Sequence, residues 1–157
     1  FPYTTLFRSG LITSATMERA AYAKVTAGTT IVEVIATAGF EATAHRAGDG
    51  YKYEEVDGHF QVPGTVNLMI FTNKALTDGA LTRAVITATE AKTLAIQEAG
   101  ITMLDSDLPA SGTATDGLIL TIDTNGEVLT DTGSFSLFGD TLAKAVRQAM
   151  AQAIGNI

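Results

Sequence analysis

The chain has 157 residues, 46% of them hydrophobic and 17% charged, a composition typical of one folded domain with its own core. Its 17 acidic and 10 basic residues give a net charge of −7, which disfavours nucleic acid and anionic membranes as partners because both bind basic surfaces. The absence of cysteine excludes disulfides, thiolate catalysis and cysteine-based metal sites, and two histidines cannot form a three-histidine metal site.

The first nine residues, FPYTTLFRS, match one translated frame of a common sequencing adapter. The alternative is an ordinary short strand with a proline near its start. We interpret residues 1–9 as an adapter artefact and exclude them from the fold, since such a segment has no part in the natural protein. Residues 10–157 are then expected to be the C-terminal part of a single domain. Such a truncation predicts an exposed apolar surface or an unpaired strand edge.

Three strands are predicted in the first half of the chain. Residues 20–26 alternate moderately between apolar and polar side chains, and residues 29–38 are rich in valine, isoleucine and threonine; together they predict a hairpin around Gly28. Residues 51–55 indicate a short strand between two loops. The apolar run TVNLMIFT at 65–72 has the length and character of a central buried strand.

Two long helices are predicted in the second half. Residues 76–100 form an alanine-rich segment that Thr77 or Asp78 can cap and Gly100 can end. Its apolar positions recur at helical spacing: Leu81, Ala84 or Val85, Ala88 and Ala95. A second helix opens at Gly139-Asp140, with one apolar face formed by Leu142, Val146, Ala149, Met150 and Ala153.

A second hairpin is predicted between these helices. The segments 117–124 and 127–132 flank Asn125-Gly126, the strongest short turn signal in the chain. The predicted order is therefore β-β-β-α-β-β-α. Strands joined by tight turns, together with two long helices, predict an α+β fold: a layered sandwich of mostly antiparallel strands.

Several separated segments resemble the adenosylcobinamide amidohydrolase family (CbiZ). They are PGTVN at 63–67, the helix at 76–100, SGTATD at 111–116, AGFEATAHRAGD at 38–49 and GLITSA at 10–15. The resemblance implies an amidohydrolase that cleaves the linear amide between aminopropanol and the corrin ring of adenosylcobinamide. The products would be adenosylcobyric acid and aminopropanol, in corrinoid salvage for cobalamin biosynthesis.

The same resemblance implies a small-molecule corrinoid substrate and no cofactor beyond it. We expect no metal, nucleic-acid or membrane partner. No apolar run reaches the roughly 18–20 residues that a membrane helix needs, and we expect a cytoplasmic protein. The oligomeric state has no signal in the sequence.

The middle third of the chain also resembles, more distantly, the β-aminopeptidases and their ornithine-acetyltransferase-like relatives. In that pattern Gly64-Thr65 starts a strand, Thr72-Asn73 ends it and Asp116 closes a later loop. This resemblance implies helices around two sheets, so we expect the chain to form an incomplete α-β-β-α domain.

Four residues are candidates for catalysis: Thr65, Asn67, Thr115 and Asp116. The Thr65 hydroxyl can attack an amide carbonyl once a base takes its proton, although a threonine that opens a strand is the plain alternative. Asn67 lies on the same strand face and can donate to an oxyanion, or it has only a structural hydrogen bond. Asp116 either orients the proton acceptor or bonds the backbone of its own turn.

Five residues are candidates for binding the substrate: Glu41, Arg46, Asp49, Thr113 and Glu90. An exposed Arg46–Asp49 ion pair is the plain alternative for that loop. Glu90 is either a half-buried acid or part of a solvated helix face. His45 lies in the same loop and is a further candidate base, or merely an exposed histidine.

Three positions depart from the family pattern. Phe135 and Leu137 stand where the family carries a histidine and a lysine, and Thr43 stands where it favours asparagine. The loss of a histidine from the loop at 135–137 favours an alternative function, a corrinoid-binding domain that keeps the fold without the catalysis.

Overall fold

The computed structural model describes residues 10, 11, 13, 15–51 and 65–155. Within them the fold is α+β, as predicted. The predictions for residues 1–9 and for a strand beyond Tyr51 lie outside the described residues. The elements are a 3-10 turn at Met17–Arg19, β1 (Ala21–Ala27), β2 (Thr30–Ala38), β3 (Val66–Thr72), β4 (Lys74–Leu76), α1 (Asp78–Glu98), β5 (Gly117–Thr121), β6 (Glu127–Leu129) and α2 (Leu137–Gly155).

The main sheet has the strand order β1-β2-β3-β5. β1 and β2 form the predicted hairpin, in which Gly28 has a φ of 57° that favours glycine. β3 pairs antiparallel with β2 on one side and parallel with β5 on the other. The predicted central strand is confirmed, since Val66, Leu68 and Ile70 are almost fully buried.

The predicted hairpin over residues 117–132 is wrong. Gly126 does close a turn on Asp123, with an N–O distance of 3.0 Å, but β5 and β6 belong to different sheets. β5 pairs with β3, and β6 pairs parallel with β4 in a two-stranded sheet. Because α1 carries the chain back along the sheet, each later strand can lie beside an earlier one as a parallel neighbour.

Both long helices are confirmed with small shifts at their ends. The Thr77 side chain caps α1 by accepting a hydrogen bond from Ala80 N. α2 begins two residues earlier than predicted, and the Ser136 hydroxyl accepts from Gly139 N at 3.0 Å. The predicted apolar face of α2 is buried throughout. In α1 the buried stripe consists mostly of alanines, with Thr87 and Ile96, whereas Val85 is 43% exposed.

The core lies between one face of the main sheet and the helices. α2 packs against β1 and β2, and α1 packs against α2. The opposite face of the sheet carries a row of paired residues, Tyr22, Ile35, Met69 and Ile119, one from each strand. Tyr22 is 53% exposed and Met69 37% exposed, so an apolar part of this face is open to solvent.

The alanines of α1 allow a close approach between the helices, which predicts that Ala88→Leu is destabilising. Ala88 has no exposed surface, and overpacking such a site costs about 1–3 kcal/mol. The matched control is Ala151→Leu on the exposed face of α2, expected to lie within about 0.5 kcal/mol of the parent. Urea unfolding measures both, and equal stabilities for the two variants would contradict this account of the packing.

Candidate functional site

The site lies where β3 and β5 begin. These strands are parallel neighbours, with Asn67 paired to Gly117, so the residues that precede them meet at one edge of the sheet. Thr65 stands directly before β3, and the loop 111–116 stands directly before β5. The topology therefore brings together the two segments on which the predicted catalytic residues lie.

Asp116 is the centre of this site. Its Oδ1 atom accepts hydrogen bonds from Val66 N at 3.2 Å, Thr113 N at 3.1 Å and Thr113 Oγ1 at 2.5 Å. Its Oδ2 atom accepts from Lys92 Nζ. The bonds to Thr113 are those of an aspartate holding its own turn, whereas Val66 and Lys92 belong to β3 and α1. One carboxylate thus connects a loop, a strand and a helix.

Lys92 was not among the candidate residues. Its side chain is 11% exposed and that of its partner Asp116 is 18% exposed, so the ion pair is largely shielded from water. Lys92 and Asp116 are 24 residues apart, so the sequence shows no charge pair at the three- or four-residue spacing of a helix. Its position on α1 is a signal, because Lys92 lies four residues from both Ala88 and Ile96, which are fully buried. A lysine on a buried stripe requires an acidic partner.

Gly112 allows the Asp116 and Lys92 side chains to meet. A Cβ atom at this position would overlap Asp116 Oδ2 and would lie 3.0 Å from Lys92 Nζ. The second position of SGTATD therefore requires glycine for a steric reason, which sequence reasoning also missed.

The predicted nucleophile, Thr65, is held inward. Thr65 is only 3% exposed, and its hydroxyl donates to the Thr115 carbonyl oxygen at 2.5 Å. Asn67 is 6% exposed, and its Oδ1 atom lies against Gly117, where a Cβ atom would come within 2.7 Å of it. Thr65, Asn67, Thr115 and Asp116 therefore lie together, although the first two have little access to solvent.

The loop that follows β2, over residues 39–51, is attached to the same site through its backbone. His45 N donates to Gly112 O at 3.0 Å, and Ser111 N donates back to His45 O at 2.9 Å. The Ser111 hydroxyl accepts from Ala47 N at 2.9 Å. These bonds fix His45 relative to the loop that holds Thr113 and Asp116.

A pocket of about 540 Å³ lies between these two loops, within the usual size range for small-molecule sites. Of the predicted residues it includes Thr113. Two polar atoms near it, Thr43 Oγ1 and His45 Nδ1, are buried and have no hydrogen-bond partner. Among the described residues, the lining consists of Ala42, Thr43, Ala44, His45, Tyr51, Met103, Leu104, Asp105, Thr113 and Ala114.

The other predicted substrate-binding residues do not line this pocket. Arg46 and Asp49 form the exposed ion pair of the plain alternative, at 3.5 Å. Glu41 lies 4.0 Å from Arg19, and both are exposed. Glu90 is exposed on α1, the position expected of a solvated helix face.

Phe135 and Leu137 lie far from this site. Leu137 is near Gly28, at the start of β2, whereas the loop carrying His45 follows the end of β2. A strand of nine residues spans about 27 Å. Both side chains are exposed, and neither reaches Asp116 or the pocket. The departure from the family pattern at these positions therefore does not alter the site around Asp116.

No helix among the described residues is long and apolar enough to cross a membrane. In the same part of the chain, no three histidine, aspartate or glutamate side chains form a group that could hold a metal ion.

Comparison with known proteins identifies the family of this chain. Residues 4–156 match the model of the adenosylcobinamide amidohydrolase family, CbiZ. The chain belongs to this family. It is 39% identical over 158 aligned residues to the uncharacterized protein MJ1613 of Methanocaldococcus jannaschii, covering 92% of this chain and 61% of that protein.

A second relative carries the name adenosylcobinamide amidohydrolase and comes from Halobacterium salinarum. It is 34% identical over 119 residues, covering 76% of this chain and 48% of the relative. The chain thus spans about half to three-fifths of the length of these two CbiZ-family relatives.

The ion pair at the centre of the site predicts that Lys92→Met is strongly destabilising. Removing one partner leaves the Asp116 carboxylate shielded from water without its counter-charge, at a cost of about 3 kcal/mol. The matched control is Lys144→Met, which removes an exposed pair with Asp140 and should cost less than about 1 kcal/mol. Denaturant unfolding at neutral pH compares them, and equal losses would show that the Lys92–Asp116 pair has no special role.

Proposed function

We propose that the chain hydrolyses the amide between aminopropanol and the corrin ring of adenosylcobinamide, releasing adenosylcobyric acid. The observation that carries this proposal is the family match over residues 4–156. The relative from Halobacterium salinarum, which bears the name of this activity, supports it. The reaction would serve corrinoid salvage, and we propose that it takes place in the cytoplasm.

The geometry supports a nucleophilic or water-positioning role for Thr113 over Thr65. A nucleophile must reach the substrate and have a proton acceptor within hydrogen-bond distance. Thr113 lines the pocket, and its hydroxyl lies 2.5 Å from the Asp116 carboxylate. The Thr65 hydroxyl donates to a carbonyl oxygen, which is not a base, and Thr65 is absent from the lining.

The remaining residues then have supporting roles. Asp116 holds the Thr113 hydroxyl and backbone in one orientation, and Lys92 holds Asp116. Thr65 and Thr115 connect β3 to the same loop. Asn67 is also buried and absent from the pocket lining, so we propose the structural hydrogen-bonding role for it rather than that of an oxyanion donor.

The alternative of a corrinoid-binding domain without catalysis rested on Phe135 and Leu137. Because Leu137 lies near Gly28, at the other end of the sheet, these residues do not favour it at this site. Corrinoid binding without release of aminopropanol would be the result that supports it.

The test follows aminopropanol release from adenosylcobinamide by the chain and its variants. Thr113→Val should lower kcat at least about a hundredfold, because it removes the attacking or water-positioning hydroxyl and preserves the side-chain shape. Thr65→Val should lower the free energy of unfolding and have little effect on kcat. Thr141→Val, a buried threonine in α2 that bonds Leu137 O, is the matched control and should keep full activity.

The opposite pattern, with Thr65→Val inactive and Thr113→Val active, would restore Thr65 as the nucleophile. No release by the parent chain, with the corrinoid still bound, would overturn the amidohydrolase proposal.

A further inference from the structure

We propose that Thr43 and His45 form the leaving-group subsite of this reaction, an inference that rests on the proposed function. The Thr43 hydroxyl binds the hydroxyl group of the departing 1-amino-2-propanol. His45 Nδ1 carries a proton to the amide nitrogen as that nitrogen leaves.

The burial of two polar atoms without partners points to a ligand. Thr43 is 7% exposed, and its Oγ1 atom makes no hydrogen bond; the same is true of the buried Nδ1 atom of His45. Buried polar groups in folded proteins are almost always paired, so an exception calls for an explanation. Here both exceptions belong to residues that line the same pocket, two positions apart in one loop.

The backbone around these residues is firmly held. Thr43 N and Ala44 N both donate to Phe40 O, at 3.3 and 3.2 Å, and Phe40 is buried. Two residues later, His45 is bonded through its backbone to Ser111 and Gly112. The backbone positions of Thr43 and His45 are therefore fixed relative to the loop that carries Thr113, as a preorganised site requires.

The surroundings suit a small amino alcohol, because the lining combines the Asp105 carboxylate with small apolar side chains. Alanines at 42, 44 and 114 line the pocket and offer apolar contacts for a methyl group. The Thr43 hydroxyl can both donate to and accept from a ligand hydroxyl. The Nδ1 atom of an imidazolium is a hydrogen-bond donor and can pass its proton to a departing nitrogen.

The proton transfers balance when Asp116 starts as a carboxylate and His45 as an imidazolium. As the attacking oxygen forms its bond to the amide carbon, the Asp116 carboxylate takes the proton from that oxygen. When the C–N bond breaks, the imidazolium gives its proton to the nitrogen, neutral 1-amino-2-propanol leaves, and the proton on Asp116 returns to His45 through solvent. If Thr113 is the attacking group, Asp116 then takes a proton from the water that hydrolyses the ester and gives it to the Thr113 oxygen as that oxygen leaves, releasing the corrinoid acid.

The test of His45 compares two leaving groups. His45→Ala should lower kcat for adenosylcobinamide about 10²–10⁴-fold with KM changed only a few-fold, and added imidazole should restore part of the rate. The p-nitrophenyl ester of adenosylcobyric acid needs no proton on its leaving group, so His45→Ala should lower kcat for this ester markedly less. Equal losses for amide and ester, or no response to imidazole, would overturn the role of His45 in leaving-group protonation.

The test of Thr43 uses the product amine as a probe. Thr43→Val should weaken binding of 1-amino-2-propanol about tenfold, measured by saturation-transfer NMR, and should leave binding of 1-aminopropane unchanged. Thr141→Val should alter neither. Equal weakening of both amines, or of neither, would overturn the subsite. This measurement needs no turnover, so it holds even if His45→Ala fails to fold.

The two proposals fail in different ways. If the chain releases aminopropanol and the Thr43 and His45 variants behave like the parent, the subsite is wrong and the proposed function stands. If the chain binds 1-amino-2-propanol through Thr43 and never cleaves adenosylcobinamide, the site binds the amine and the proposed function is wrong.

Discussion

The Asp116 carboxylate connects the parts of the molecule that form the site. It accepts hydrogen bonds from β3, from its own loop and from α1, and the opposing charge of Lys92 stabilises it. A carboxylate so shielded from water is costly unless each oxygen has partners, and here both have them. Gly112 allows the close approach, and Thr113 is oriented as a consequence. The Lys92–Asp116 ion pair therefore links β3, the loop 111–116 and α1, and it orients Thr113 at the pocket.

Much of the fold could be predicted because local patterns and burial agreed. The β1–β2 hairpin, the buried β3 strand and both helices follow from β-branched runs, a glycine turn, a threonine cap and apolar spacing. The second hairpin was wrong because Asn125-Gly126 specifies a turn but not the partner of the strands beside it. β4 has only three residues, too few to carry a periodic signal, and its presence gives β6 a different partner.

Part of the site could also be predicted from local sequence patterns. The loop ending in Asp116 and the strand opening at Thr65 were identified, and the parallel pairing of β3 and β5 brings them together. The sequence could not show that Lys92 pairs with a residue 24 positions away, or that the Thr65 hydroxyl turns toward a carbonyl. The weight given to Phe135 came from the family pattern, and only the three-dimensional structure shows which end of the sheet Leu137 occupies.

The most direct test of this account is a crystal structure of the chain with adenosylcobyric acid and 1-amino-2-propanol bound together. The carboxyl carbon formed by hydrolysis is expected about 3–3.5 Å from Thr113 Oγ1, with the amine beside His45 Nδ1 and its hydroxyl on Thr43. Products bound on the open sheet face beside Met69, or with the carboxyl group against Thr65 and away from Thr113, would contradict it.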